Sequence, residues 1–214
     1  YAPVNKGEIV TLDLVSSLNN VLVDFIGHTL IPLKKIFIPP REILYEYIIK
    51  PDSIDIRDNL DEIKTVKNVV FGVRACDIKS IEILDKVFLK EFHDPYYRIR
   101  RENTIIIGLS CIAADINCFC YFTRSGPEIH SGFDLLITRI NSDYLVEIGS
   151  NKGREIIDEH FDLFNKAPPE YLKIKSRIIQ RVIREIMERN DLPYFDEIYD
   201  RLVNEYNSCL LYTS

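Results

Sequence analysis

The sequence predicts an α/β protein, built on a partly parallel sheet with flanking helices, a β-hairpin and a C-terminal helical arm. Three observations carry this prediction. Asn68 to Val73 and Asn103 to Leu109 are short apolar runs rich in β-branched residues, as buried parallel strands require. An amphipathic stretch, Asp77 to Lys90, lies between them, so strand, helix and strand make a parallel βαβ unit with a right-handed crossover. Two further apolar runs, 133–139 and 144–149, flank Asn141-Ser-Asp143, where Asn and Asp favour a hairpin turn.

The elements follow in chain order. Residues 8–30 mix apolar stretches with Ser16, Ser17, Asn19 and Asn20 and read as a helix leading to a strand. Lys35 to Ile38 reads as a short strand stopped by Pro39 and Pro40, which cannot donate to a ladder. In the helix from Asp77, the residues Ile78, Ile81, Leu84, Val87 and Phe88 fall on one face, with Lys79, Glu82 and Lys86 outside it and Asp77 as the expected N-cap. Asp94 to Glu102, dense in Tyr and Arg and bounded by Pro95, reads as a solvated loop whose Tyr96–Arg101 stretch is a candidate docking surface. A helix is expected from Asn151 to Asn165, ended by Pro168 and Pro169. The next runs from Glu170 to Asn190, with Ile174, Ile178, Val182 and Ile186 in one stripe and Ile179, Ile183 and Met187 beside it. Its opposite face (Lys173, Lys175, Arg177, Arg181, Arg184) is basic and reads as solvated, while the apolar stripe is expected to be exposed in isolation. A last helix is expected from Phe195 to Tyr206, which divides the chain into a core, 1–167, and a helical arm, 168–214.

Composition narrows the functional classes. The 214 residues are 46% hydrophobic and 28% charged, an ordinary globular balance, and the net charge of −6 implies no broad basic surface for nucleic acid. No apolar run is long enough to span a bilayer and no charged-then-apolar leader opens the chain, so a cytoplasmic protein without membrane partners is expected. The chain opens at Tyr1 without an initiator Met and ends abruptly after Cys209, so it is expected to be a fragment.

Chemistry concentrates in the cysteines. Four of the five fall between Cys76 and Cys120, spaced Cys76-x34-Cys111-x6-Cys118-x-Cys120. A disulfide framework is not expected in a reducing compartment, which leaves buried free thiols, a zinc site or an iron–sulfur cluster. Zinc sites usually show short paired C-x2-4-C spacing, absent here, and the spacing is not the regular ferredoxin pattern either, so spacing leaves all three readings open. Cys76 and Cys111 each follow a strand end, where α/β sheets gather ligands, so the two places are expected to be spatial neighbours. A helix N-terminus and Arg74 are expected to favour the Cys76 thiolate, and Phe119 to shield the Cys118-Phe-Cys120 pair. Gly126-Pro127 and Ser131-Gly132 allow close backbone approach. His28, His93, His130 and His160 are scattered, with no Cys-His or Ser-His-Asp order, and neither a Walker A run nor GxGxxG occurs.

A run of short motifs carries a resemblance. Gly72-Val-Arg-Ala-Cys-Asp77 is followed by Asp94-Pro-Tyr-Tyr97, Arg100-Arg-Glu-Asn103, Ile107-Gly-Leu-Ser-Cys111, Cys118-Phe-Cys120, Gly126-Pro127 and Gly132-Phe-Asp-Leu-Leu-Ile-Thr138. Pro32-Leu-Lys34 with Phe37 to Glu42 extends the run towards the N-terminus. This order resembles the iron–sulfur beta subunit of cytoplasmic nickel–iron sulfhydrogenases and is similar to the A subunit of anaerobic sulfite reductase. The resemblance implies a 4Fe–4S cluster held by Cys76, Cys111, Cys118 and Cys120, with Arg74 and Asp77 supporting the ligands and no catalytic residue in the chain itself. It implies partners in a hydrogenase or sulfite reductase complex, with electrons relayed between a flavin-containing, NAD(P)-linked subunit and a catalytic subunit. Family members continue into a ferredoxin-like segment with two C-x2-C-x2-C-x3-C runs, and Ser208-Cys209-Leu210 resembles the first ligand of the first run. Two alternatives remain: a zinc-stabilised scaffold subunit, and a flavin-binding subunit similar to the beta subunit of F420-reducing hydrogenase, although no flavin motif is present.

Overall fold

Asn68–Val73 and Thr104–Leu109 pair in parallel at the centre of a sheet whose remaining strands complete both sequence predictions. The computed structural model describes residues 1–23 and 25–205, so Cys209 and Tyr206 lie outside the described residues. In chain order the elements are β1 (Ala2–Lys6), β2 (Ile9–Asp13), α1 (Lys34–Phe37), β3 (Tyr45–Lys50), β4 (Ser53–Asp58), α2 (Leu60–Thr65), β5 (Asn68–Val73), α3 (Ala75–Asp85), α4 (Pro95–Glu102), β6 (Thr104–Leu109), β7 (Leu135–Ile140), β8 (Asp143–Ile148), α5 (Asn151–Glu159), α6 (Pro169–Arg189) and α7 (Phe195–Asn204). The main sheet has the order β5-β6-β7-β8. Its first two pairings are parallel and the last is antiparallel, because β7 and β8 are the expected hairpin, turning at Asn141 with φ +56°. The architecture is therefore the mixed α/β fold expected from the sequence.

The core forms where α3 crosses the sheet. Ile78 and Ile81 are fully buried against Val70, Ile106 and Leu136, and Leu84 and Phe88 pack at the margin, as the helical spacing requires. Gly72, at φ +81°, breaks the β5 register just before Arg74, and Pro3 of β1 fills the place a Cβ would occupy. The amino group of Tyr1 donates to the Val69 carbonyl at 2.6 Å, which ties the N-terminal hairpin to the edge of β5.

Several expectations are corrected. Lys34–Phe37 is a helix, not a strand. Leu33 and Phe37 are both buried, and the helical turn reaches that face while leaving Lys34 and Lys35 in solvent, whereas a strand would turn Lys35 inward with them. Residues 8–30 contain β2 and a short 3-10 turn, Leu18–Asn20, with no α-helix among the described residues. Asp94 to Glu102 is not a loop. Asp94 caps α4 by accepting from the Tyr97 amide at 2.8 Å, and Pro95 occupies the first turn. Tyr97 is buried, stacks on Phe88 and donates to Asp85 at 2.7 Å, while Arg101 bonds Asp85 and Arg100 pairs with Glu42. The side chains expected to dock a partner therefore hold the core margin. Helix α3 begins at Ala75 with Arg74 as N-cap, so Asp77 lies in its first turn, and the chain continues into a π-helical turn, Lys86–Glu91. Helix α5 ends at Glu159, before a 3-10 turn at Phe161–Leu163, so it does not reach Asn165.

The hairpin of β3 and β4 is absent from the sequence prediction, although Pro51-Asp52 between two alternating apolar runs is its signal. Both strands are exposed along their length. A two-stranded ribbon is marginal alone. Tyr96 fastens this one by donating to the Leu44 carbonyl and the Asp58 carboxylate, both at 2.9 Å.

The stripe on α6 is not left exposed. Ile179, Val182 and Ile186 are buried, and Lys175 leaves the expected basic face to pair with Glu147 of β8 at 2.6 Å. Met187 is the most open residue of the stripe, at 40% exposed.

Asp134 fixes the sheet to α5. Its buried carboxylate accepts from the Ile106 amide at 2.7 Å and from the Ser150 hydroxyl at 2.5 Å, while Ser150 caps α5 through the Gly153 amide. Replacement Asp134→Ala leaves a buried donor unpaired and is expected to lower stability by roughly 2–3 kcal/mol. A urea titration reads this directly, and an unchanged midpoint would refute the role given to the carboxylate.

Candidate metal centre

Parallel pairing places the carboxyl ends of β5 and β6 side by side, and each strand runs straight into a cysteine-bearing turn. Cys76 lies in the first turn of α3, and Cys111 follows Ser110, whose amide bonds the Ile137 carbonyl at 2.9 Å. The chain then leaves the sheet in an irregular loop that returns Cys118 and Cys120 to the same place. The four cysteines are free and half-buried, and all four line one cavity of about 230 Å³. Arg74, Asp77, His28 and Phe119 complete much of its wall. Two clefts elsewhere are larger, about 500 and 370 Å³, but neither contains a cysteine, so the donor set marks the site and size does not.

The loop is held by turns and by α6. The Asp115 amide donates to the Cys118 sulfur at 3.3 Å, and the Ser125 amide to the Cys120 carbonyl at 2.9 Å. Gly126 faces Cys120 so closely that a Cβ there would stand 3.3 Å from the sulfur, in keeping with the close approach expected at Gly126-Pro127. Gly132, by contrast, makes room for Ile78 and Glu82 of α3. From α6, Glu185 accepts from the Ala114 amide at 2.8 Å, Arg189 donates to the Ala114 carbonyl at 2.6 Å, and Arg181 to the Ile112 carbonyl at 2.8 Å. Asn190, just beyond the helix, donates to the Cys118 carbonyl at 2.9 Å. Phe122 and Ala114 pack on Val182 and Ile186, with Cys111, Cys118 and Cys120 at the margin of that cluster.

Arg74 is the buried cation of the site. It is 4% exposed, and its guanidinium bonds four main-chain carbonyls. Nε donates to Gly27 at 3.0 Å, Nη1 to Ser110 at 3.1 Å and Leu109 at 3.3 Å, and Nη2 to Phe25, whose ring lies 4.1 Å beneath the guanidinium carbon.

The electrostatics correct one expectation. Burial pushes the Cys76 thiol well above its ordinary value, reinforced by the Asp77 carboxylate and by Cys111 and Cys120, so the helix N-terminus and Arg74 do not make it a free thiolate. Burial likewise raises Cys111, against the pull of Arg74, and pushes Cys120 up to about 12, with Cys111 and Cys118 adding to it. Asp77 is raised by burial, opposed by His28 and Arg74. Arg74 is lowered by burial and supported by Cys111, Cys76, Asp77 and Cys118. A cation that enters the cavity therefore has to displace the protons of Cys76, Cys111 and Cys120.

The structure brings all four predicted cysteines, Arg74 and Asp77 to one place. Phe119 is on the rim and 54% exposed, so its shielding is partial. His130 is exposed and His28 lines the cavity, a neighbour that sequence spacing did not indicate. Glu185 and Asn190 were also missed, since a long-range bond to the main chain leaves no local pattern. Among the described residues, no three His, Cys, Asp or Glu side chains are grouped to hold one metal ion. The thiols surround the cavity and do not meet at one point. In its chemistry, a set of four sulfurs fits a group with several attachment points, one thiolate per iron.

Over 173 residues, 81% of this chain, the sequence is 35% identical to "Sulfhydrogenase 2 subunit beta" of Pyrococcus furiosus. The alignment takes in 49% of that protein, so the chain spans about half the length of the curated relative it matches. No family model matches the chain. No solved structure matches it. No helix among the described residues is long and apolar enough to cross a membrane.

If α6 holds the cysteine loop, Glu185→Ala unpairs the Ala114 amide and is expected to cost about 1–2 kcal/mol. Amide hydrogen exchange across 112–120 should quicken while that of β5 and β6 stays slow. Unchanged exchange in the loop would show that α6 packs there without restraining it.

Proposed function

Because the chain belongs to the sulfhydrogenase beta subunit family, we propose that it is the cluster-bearing part of an electron-transfer subunit in a hydrogenase-type, multi-subunit oxidoreductase. The observation that carries this reading is the convergence of Cys76, Cys111, Cys118 and Cys120 on one cavity. A 4Fe–4S group bound there supplies one-electron redox chemistry.

The protein's own residues have separate tasks. The four cysteines offer one thiolate for each iron. The Asp115 amide, aimed at the Cys118 sulfur, stabilises negative charge on that ligand. Phe122, Val182 and Ile186 keep water from one side of the loop. Arg74 fixes both strand ends relative to each other through Leu109 and Ser110. On this reading the chain relays electrons and the chemistry belongs to partner subunits, among them a flavin- and NAD(P)-linked one. The relative is named as a sulfhydrogenase subunit, which favours a hydrogenase complex over a sulfite reductase. A cytoplasmic location follows from this reading.

Iron and acid-labile sulfide after anaerobic purification, with an EPR spectrum of the reduced sample, test the proposal. The expected result is close to four irons and four sulfides per chain, the content of a single cubane. Cys120→Ser should remove or convert the cluster, and Cys209→Ser should leave the core site intact. Equal iron in wild type and Cys120→Ser would refute the ligand assignment. One zinc without sulfide would make the protein a scaffold, and retained flavin without iron would move it to the flavin-binding alternative.

A further inference from the structure

Arg74 presents a problem of charge. A guanidinium buried to this degree is costly unless an anion compensates it. Its hydrogen-bond acceptors are the neutral carbonyls of Phe25, Gly27, Leu109 and Ser110. Among the described residues no carboxylate forms an ion pair with it, in contrast to Arg100, which pairs with Glu42, and Arg101, which pairs with Asp85. The groups that can carry negative charge beside it are Cys76, Cys111, Cys118 and Asp77, which line the same cavity as Arg74. Arg74 also cannot swing away, because four hydrogen bonds and the Phe25 ring fix it beside the cavity.

We infer that Arg74 is a positioning residue whose fixed positive charge raises the reduction potential of the cysteine-bound group above the value four thiolates alone would give; this rests on the cluster reading. The sign follows from Coulomb's law. Reduction adds one electron, taken from an external reductant, and no proton, so Arg74 faces one more negative charge afterwards than before. The attraction therefore favours the reduced state, and it is strong because the low-dielectric surroundings screen it weakly. A surface lysine at the same distance would do far less.

The test uses the whole 214-residue chain, purified anaerobically and titrated with dithionite while the EPR signal is followed. Arg74→Gln removes the charge and keeps part of the hydrogen-bonding capacity. Its midpoint should move to a more negative potential, and Arg74→Lys, which keeps the charge, should return most of the way to wild type. If Arg74→Gln loses its iron, retention of iron and of a near-wild-type midpoint by Arg74→Lys supports the charge requirement. Full iron and an unshifted midpoint in Arg74→Gln would overturn the inference. So would loss of iron from both variants with an unchanged thermal midpoint of the iron-free proteins, because Arg74 would then act through the shape of its fork alone. Wild type without iron and sulfide would refute the cluster reading itself, and this inference with it, which separates the two failures.

Discussion

The buried guanidinium of Arg74 is the constraint on which the site depends. It lies at the junction of β5 and α3 and reaches two other places at once: the end of β6 through Leu109 and Ser110, and the N-terminal loop through Phe25 and Gly27. The chain segments before Cys76 and Cys111 are therefore tied to one rigid fork. Arginine suits this task because its planar donors are pre-organised, whereas lysine would offer a point charge on a flexible stem. The bulge at Gly72 turns the strand end just before Arg74, and Pro3 packs into the space the missing Cβ leaves.

A second constraint acts from the far end of the chain. The cysteine loop has little regular structure, and its main-chain groups would need water if nothing covered them. Helix α6 satisfies several of them through Arg181, Glu185 and Arg189, and Asn190 adds another. Its apolar face supplies Val182 and Ile186 beneath Phe122. The same helix is tied to the sheet by the Lys175–Glu147 pair. The segment read from sequence as an arm thus braces the cysteine loop, and any movement of α6 would be felt at Cys118.

The central fold was legible because its signals are local and repetitive. Val70, Ile106 and the Ile78–Ile81 face obey strand and helix periodicities that depend only on the backbone. The hairpin at Asn141 was legible for the same reason. The segments misread were those where tertiary contacts overrule short patterns. Lys34–Phe37 became a helix to place Leu33 and Phe37 in the core, and Asp94–Glu102 became one because its Tyr97 is buried against Phe88. Motif order also pointed to the family, which the 35% identity to the Pyrococcus furiosus subunit established.

By itself the sequence determined the βαβ unit and the approximate position of its cysteines, since Cys76 and Cys111 each follow a strand end and parallel pairing makes strand ends neighbours. Tertiary structure alone decided how deeply those cysteines are buried. Burial made Cys76 a reluctant thiolate despite the helix N-terminus, because desolvation acts on the whole surroundings of an atom, while sequence displays only its neighbours along the chain. Tertiary structure also decided that α6 closes over the cysteine loop and that Arg74 lies without a carboxylate partner among the described residues. Such long-range pairings leave no periodic trace in a sequence, since they are fixed by where the folded chain passes and not by what precedes or follows each residue.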